Sequence, residues 1–352
     1  MSGETLLPIL LLAAGVVALY VGAELLVAGA SRLALGIGIR AATVGVTVIA
    51  FATTAPELFV STIGALNVST DIGLGAIVGS NIANIGLVLG VSALIRPLPV
   101  GETVMRRHVP VMGLAALLLV VLGLDGTLGR IEGIVFLLVL AGFTGYLLHN
   151  AGNDPIAMDE LPDDVADGEA ENDDSAADAT GRDTADATSA TDTTDATAST
   201  ATASGITFRD IALVLAGLLA LLVGSRWLVS GGTDLLSALG FSDLFIGLTV
   251  LALGTSLPEL AASVVGAIRD EAGFAIGNVV GSNIYNILAV LGVVAVITPI
   301  DIAPGTLRFE FPFLVAVTVM VVGLMAYGRR LTRRDGVALI AGYGVFIALL
   351  AL

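Results

Sequence analysis

"FATTAPELFVS" at residues 51–61 and "LGTSLPELAAS" at residues 253–263 share two adjacent hydroxyl residues, a proline and a glutamate, in one order and at one spacing. They stand 202 positions apart, and the same offset holds without a gap far beyond them. Gly22 pairs with Gly224, Gly29 with Gly231, Ser61 with Ser263, and "IVGSNIANI" (77–85) with "VVGSNIYNI" (279–287). Chance does not produce this, so the chain is a duplication, a common construction among membrane carriers.

The surroundings of both stretches are apolar. The 352 residues are 56% hydrophobic and 13% charged, with a mean hydropathy of +0.98. A stretch of about 20 apolar residues crosses roughly 30 Å of hydrocarbon. Segmentation on that basis predicts ten spans at 5–31, 41–67, 72–95, 104–123, 131–149, 208–236, 243–268, 273–298, 309–328 and 336–352. The first has no basic residue ahead of it and runs too long for a signal peptide, so it is expected to be retained. Five spans in each copy is an odd number, which forces the second copy to enter from the opposite side. The expected fold is therefore an all-α membrane protein of ten transmembrane helices, arranged as two inverted five-helix repeats. Residues 1–150 form the first repeat, with its motif at 41–95, and residues 206–352 the second, with its motif at 243–298.

Between them, residues 151–205 hold 15 Asp and Glu against one Arg, Arg182, so nearly all of the formal net charge of −16 belongs to this segment. Rich in Asp, Ala, Thr and Ser, it has too little apolar surface to bury and reads as a disordered linker. Nothing in it matches a spaced Ca²⁺-loop pattern. All basic residues are arginines. Arg32, Arg40, Arg96, Arg106, Arg107, Arg209, Arg269, Arg329, Arg330, Arg333 and Arg334 fall on the linker side of the predicted spans, and only Arg130 and Arg308 on the other. The excess places the linker in the cytoplasm and both termini outside, for a multi-pass plasma-membrane protein.

Several chemistries are excluded. The chain has no cysteine, and its two histidines, His108 and His149, lie at span ends, so thiolate sites, a His-based zinc site and a Ser–His pair lack material. Neither HExxH nor GxSxG occurs. The protein is expected not to be an enzyme and to carry no cofactor, its partners being the lipid bilayer and small inorganic cations, with no nucleic acid among them.

Helical spacing gives the polar residues a common purpose. Thr53 and Thr54 precede Glu57 by four and three residues, and Thr255 and Ser256 precede Glu259 likewise, so each set shares a face. Ser80 and Asn84, and Ser282 and Asn286, are each four apart. Pro56 and Pro258 lack an N–H and free the carbonyls of Ala52 and Gly254, an irregularity tolerated at membrane depth where it lines a cavity or holds an ion. An ionised acid near the bilayer centre costs about 2.5–3.5 kcal/mol. Arg226, the one basic residue deep in a span, is the repeat mate of Glu24, and a Glu24–Arg226 contact would occupy it. The two proline-flanked glutamates are then left for a cation, and the oxygen-only surroundings suit a hard ion such as Ca²⁺ or Na⁺.

At these residues the chain resembles the two alpha repeats of the sodium/calcium exchanger (cation/calcium antiporter) superfamily, in "TTAPEL" with "GSNIAN" and "GTSLPEL" with "GSNIYN". The resemblance implies a core of spans 2, 3, 7 and 8, across which the long spans 1 and 6 slide. It implies as ligands the side chains of Thr53, Thr54, Glu57, Ser80 and Asn84, those of Thr255, Ser256, Glu259, Ser282 and Asn286, and the carbonyls of Ala50 and Ala252. Two positions depart from the family pattern. Thr54 stands where Ser is usual, and Asn286 where many members carry Asp, leaving two formal negative charges in place of three.

The expected function is exchange of Ca²⁺ for Na⁺ by alternating access at one mid-membrane site. A Ca²⁺/H⁺ exchanger using the same glutamates as proton carriers is the alternative. A cation channel and an intramembrane hydrolase fit less well, since inverted repeats with buried acids suit a carrier.

Overall fold

The computed structural model describes residues 3–37, 41–67, 70–150, 207–240, 254 and 256–350. The first repeat opens with the long helix α1 (Gly3–Ile37). Next, α2 (Ala41–Val44) runs through a π turn, Gly45–Ile49, into α3 (Ala50–Asn67). In the same way α4 (Thr70–Ala83) passes through the π turn Asn84–Val88 into α5 (Leu89–Ile95). A π turn at Val104–His108 leads into α6 (Val109–Leu122), and α7 (Arg130–Asn150) closes the repeat.

The second repeat follows the same plan. It comprises α8 (Phe208–Ala238), α9 (Leu257–Ile268) and α10 (Ala272–Tyr285), the last continuing through the π turn Asn286–Leu291 into α11 (Gly292–Ile297). A π turn at Thr306–Glu310 opens α12 (Phe311–Gly328), and α13 (Arg333–Leu350) ends the described chain. The π turns that begin at Asn84 and Val104 recur at Asn286 and Thr306, at the repeat offset. A π turn adds a residue to one helical turn and re-aims the side chains beyond it, and such turns concentrate at functional sites.

Short antiparallel strands tie the two copies together. β1 (Leu98–Pro99) pairs with β4 (Arg330–Leu331), and β2 (Thr127–Leu128) with β3 (Ile300–Asp301), so each pair takes one strand from each repeat. The β1–β4 pair brings Arg96, Arg329, Arg330 and Arg333 to one end of the molecule, where an Arg333 guanidinium nitrogen donates to the Ile95 carbonyl at 3.2 Å.

The distribution of polarity is that of a membrane protein. Leu7, Val17, Leu138 and Val319 are exposed on helix exteriors, whereas Thr53, Glu57, Ser80, Asn84, Glu259 and Asn286 are buried. Seven helices among the described residues are long and apolar enough to cross a bilayer. The remaining three predicted spans have identifiable reasons to differ. Span 2 carries the polar cluster and a π turn, span 7 is described only at Gly254 and from Ser256 onward, and α13 begins with Arg333, Arg334 and Asp335.

α1 and α8 lie against each other in antiparallel along most of their length. The seam is set by glycines seven apart on each helix: Gly15 faces Gly224 and Gly22 faces Gly217, while Gly29 packs on Val214 and Gly231 on the Pro8 carbonyl. A Cβ on Gly217 would stand 2.6 Å from the Leu26 amide nitrogen, and one on Gly224 would stand 2.8 Å from that of Leu19. With no side chains between them, the backbones themselves make the contact.

Candidate cation-binding site

The site is built from α3 with the α4–α5 segment and, symmetrically, α9 with the α10–α11 segment. Its packing is crossed: α3 lies against the π turn that begins at Asn286, and α9 against the one that begins at Asn84. Gly281 allows this approach, since a Cβ there would meet the Ala50 Cβ at 2.5 Å and the Val46 carbonyl at 2.7 Å. Phe51 and Tyr285 close one flank edge-to-face, with ring centroids 5.7 Å apart.

Every predicted ligand side chain among the described residues is buried. Glu57 is 5% exposed and Glu259 1%, while Asn84 and Asn286 are each 1% exposed. Thr53, Thr54, Ser80, Ser256, Ser282 and the Ala50 backbone are buried with them. Ala252 and Thr255 lie outside the described residues.

The decisive feature is unused hydrogen-bonding capacity. Thr54 Oγ1, Glu57 Oε2, Asn84 Oδ1, Ser256 Oγ, both carboxylate oxygens of Glu259, Ser282 Oγ and both polar atoms of the Asn286 amide are buried without a hydrogen-bond partner among the described residues. Burying a polar atom unpaired typically costs about 1–3 kcal/mol, so such a group of them is not tolerated for packing alone. The Glu57 and Glu259 carboxylates lie within Coulombic reach of each other, and Thr53, whose hydroxyl donates to the Ala50 carbonyl at 3.3 Å, faces Glu259. Two like charges placed together in a dry interior call for a positive charge between them. Among the described residues no three His, Cys, Asp or Glu side chains cluster, so a cation here takes two carboxylates and otherwise neutral oxygens. That donor set suits a hard ion.

The prolines act differently from expectation. α3 continues through Pro56, and its irregularity is the π turn ahead of Ala50. At Pro258 a new helix begins: Ser256 is the cap residue with φ −91° and ψ 3°, and the proline lies in the first turn, where its missing N–H costs nothing. The Gly254 carbonyl that Pro258 leaves free accepts the Ser225 hydroxyl of α8 at 2.6 Å, and so is occupied by a neighbouring helix.

Two supporting residues escape sequence reasoning. Asn278 donates from its amide nitrogen to the Glu259 carbonyl at 3.3 Å and to Ser263 Oγ at 3.0 Å, bracing the α9 turn that carries the carboxylate. Its repeat mate is Ala76, and that of Ser225 is Ala23, so the duplication gives no sign of either.

The expected Glu24–Arg226 contact is absent. Glu24 pairs with Arg269, and the Arg226 side chain is exposed on α8. The residue after Arg269, Asp270, has φ 66° and is held by Arg96 at 2.6 Å, while Ser31 of α1 donates to Glu271. The sharp turn between α9 and α10 therefore meets α1 through two polar contacts, Glu24 to Arg269 and Ser31 to Glu271. Helix spacing along α1 could not disclose which loop it would face.

The comparisons with known proteins agree with this geometry. The family described as sodium/calcium exchanger protein matches residues 7–149 and 210–352, which between them hold both motifs. The chain belongs to this family. Among its exchanger relatives, the putative antiporter CaxA of Alkalimonas amylolytica is 35% identical over 94% of this chain and 94% of its own. The sodium/calcium exchanger MaX1 of Methanosarcina acetivorans is 30% identical over 97% of both chains. The solved structure of the sodium-calcium exchanger NCX_Mj soaked with Na⁺ and Sr²⁺ matches with a TM-score of 0.75 and 27% identity, over 98% of each chain. This exchanger is thus an all-α, multi-pass plasma-membrane transporter of two inverted five-helix repeats, and not an enzyme.

Proposed function

We propose that this protein is a secondary antiporter that exchanges Ca²⁺ for Na⁺ by alternating access. The observation that carries the reading is one acid from each repeat, Glu57 and Glu259, buried together among oxygens that lack partners. Either ion satisfies the same oxygens, so the two compete and cannot be held there fully together. An unloaded site with both acids ionised is doubly negative and crosses the hydrocarbon region at high cost, which couples each outward step to an inward one.

The ligand set on this reading is Thr53, Thr54, Glu57, Ser80 and Asn84 with Thr255, Ser256, Glu259, Ser282 and Asn286, together with the carbonyls of Ala50 and Ala252. Residues 1–150 and 206–352 are the two repeats, and 151–205 a linker. The end that gathers Arg96, Arg329, Arg330 and Arg333 faces the cytoplasm, which puts the linker there and both termini outside.

The test is ⁴⁵Ca²⁺ uptake into proteoliposomes under an imposed Na⁺ gradient, with a H⁺ gradient as a second arm, for wild type, Glu57→Gln and Glu259→Gln. Na⁺-driven uptake by wild type and its loss in both variants is the expected result. Undiminished uptake in both variants refutes the site, and uptake driven by H⁺ alone refutes Na⁺ as the counter-ion.

A further inference from the structure

We infer that Glu24 and Ser31 latch α1 to the turn between α9 and α10, and that this latch, built into one repeat only, biases alternating access toward the conformation described here. The latch rests on the antiport reading above and adds a conformational bias to it.

Two bodies meet at this contact. α1 and α8 form one, packed backbone to backbone along most of their length. The crossed helices of the cation site form the other. α1 serves both. Its Gly22 and Gly29 face α8, while Glu24 and Ser31, each two residues beyond one of them, lie roughly 200° round the helix and face the core. Glu24 and Ser31 are themselves seven residues apart, two turns along one face.

The receiving turn is firmly closed. α9 ends in a Schellman motif: Asp270 takes the left-handed conformation at φ 66°, its N–H donates to the Ala267 carbonyl at 3.3 Å, and the Glu271 N–H donates to the Gly266 carbonyl at 2.8 Å. Arg96, at the end of α5, holds the Asp270 carboxylate at 2.6 Å and ties the turn to the core. Arg269 and Glu271 are thus presented from a fixed backbone. Arg269 pairs with Glu24, their side chains only 39% and 23% exposed, and the half-buried Glu271 accepts the Ser31 hydroxyl.

The second repeat has no counterpart. In a carrier of inverted repeats the opposite conformation exchanges the parts played by the two copies, so its equivalent contact would join α8 to the turn between α3 and α4. The repeat mates of Glu24, Ser31, Arg269 and Glu271 are Arg226, Thr233, Asn67 and Ser69, with no acid among them to meet the arginine. The nearest acid in that turn, Asp71, is the mate of Gly273, one helical turn beyond Arg269. The conformation described here therefore keeps an ion pair that its opposite lacks, and each cycle must break it. A partly exposed ion pair and one hydrogen bond together shift such a balance by roughly five- to thirtyfold.

The experiment uses the full chain in proteoliposomes. Since it has no cysteine, nitroxide labels can be placed at Val17→Cys on α1 and Ile297→Cys on α11, both exposed positions, and their distance distribution measured by pulsed electron spin resonance. Na⁺-driven ⁴⁵Ca²⁺ uptake is measured on the same preparations. Glu24→Gln combined with Ser31→Ala should enrich a second distance, minor in the parent, by roughly five- to thirtyfold. Each single variant should give part of this shift and serves should the double variant not elute as a folded species. Exchanging the charges, Glu24→Arg with Arg269→Glu, should restore the parent distribution, and Arg226→Gln should leave it in place. An unaltered distribution in the folded latch variants, with uptake by the parent intact, overturns the latch and leaves the antiport standing. A charge exchange that behaves like Glu24→Gln overturns the ion pair as the cause, and a shift of equal size in Arg226→Gln overturns the one-sided placement. Absence of Na⁺-driven uptake by the parent overturns the antiport reading itself.

Discussion

The Ser225 hydroxyl donates to the Gly254 carbonyl at 2.6 Å, joining the long helix α8 to the segment just ahead of α9. The carbonyl needs this partner because Pro258, four residues on, has no N–H to give it. In the first repeat the corresponding residues are Ala23 and Ala52, so the link exists in one half only.

Replacing Ser225 by Ala should therefore destabilise the protein by about 1–3 kcal/mol, the usual cost of a buried carbonyl left unpaired. Thermal unfolding in detergent measures it. Ser230→Ala, on an exposed position of the same helix, should change stability by no more than about 0.5 kcal/mol. Equal melting temperatures for the two variants would show the Ser225 bond to be without consequence.

The glycine seam between α1 and α8 predicts a strong position dependence. Gly217→Ala places a methyl group 2.6 Å from a backbone nitrogen of α1 and should cost about 1–3 kcal/mol, more than the roughly 1 kcal/mol that Ala gains in helix propensity. Gly142→Ala, where an added Cβ has no atom within 4 Å, should be neutral or stabilising. Unfolding curves of the two variants side by side decide the matter.

Asn278→Leu removes the brace on the Glu259 backbone while leaving every proposed ligand in place. By analogy with residues that orient metal ligands, Ca²⁺ affinity should fall by about 10–100-fold. Isothermal titration or Ca²⁺-dependent thermal stabilisation reads this. An unchanged affinity would assign Asn278 to packing alone.

Glu271, just ahead of α10, is half-buried, and burial pushes its carboxyl up from the ordinary range against the opposing influence of Ser31 and Arg269. The folded state thus holds its proton at pH values where the unfolded state has released it. In that window the unfolded chain binds fewer protons, and stability should decline as pH rises from the ordinary glutamate range through the raised value. Glu271→Gln cannot ionise and should flatten this slope. Melting temperatures of both proteins across mildly acidic pH measure the difference.

Much of the fold is legible in the sequence. The constant offset of 202 residues exposed the duplication, and the odd number of spans in each copy exposed the inversion. The proposed ligand set comes from the family's pattern. The π turns were not legible, because an extra residue in one helical turn leaves the apolar pattern almost unchanged; yet two of them begin at Asn84 and Asn286. Pro56 and Pro258 read alike in sequence, but α3 runs through the first and α9 starts at the second. Glu24 and Arg226 are repeat mates, but symmetry mates occupy equivalent places in the two copies and need not touch, and Glu24 meets Arg269 in place of Arg226.

Sequence by itself determined which residues must leave lipid: acids, amides and hydroxyls at helical spacing cannot face hydrocarbon, so their positions on the inner faces followed from desolvation cost alone. Tertiary structure decided which of them meet. The crossed packing of α3 and α9 on the opposite repeat's π turns, the Ser225 link to Gly254 and the Asn278 brace all join residues far apart in the chain. Such contacts depend on how close two backbones can come, and that is set by glycines such as Gly217 and Gly281 only once the helices are laid against each other.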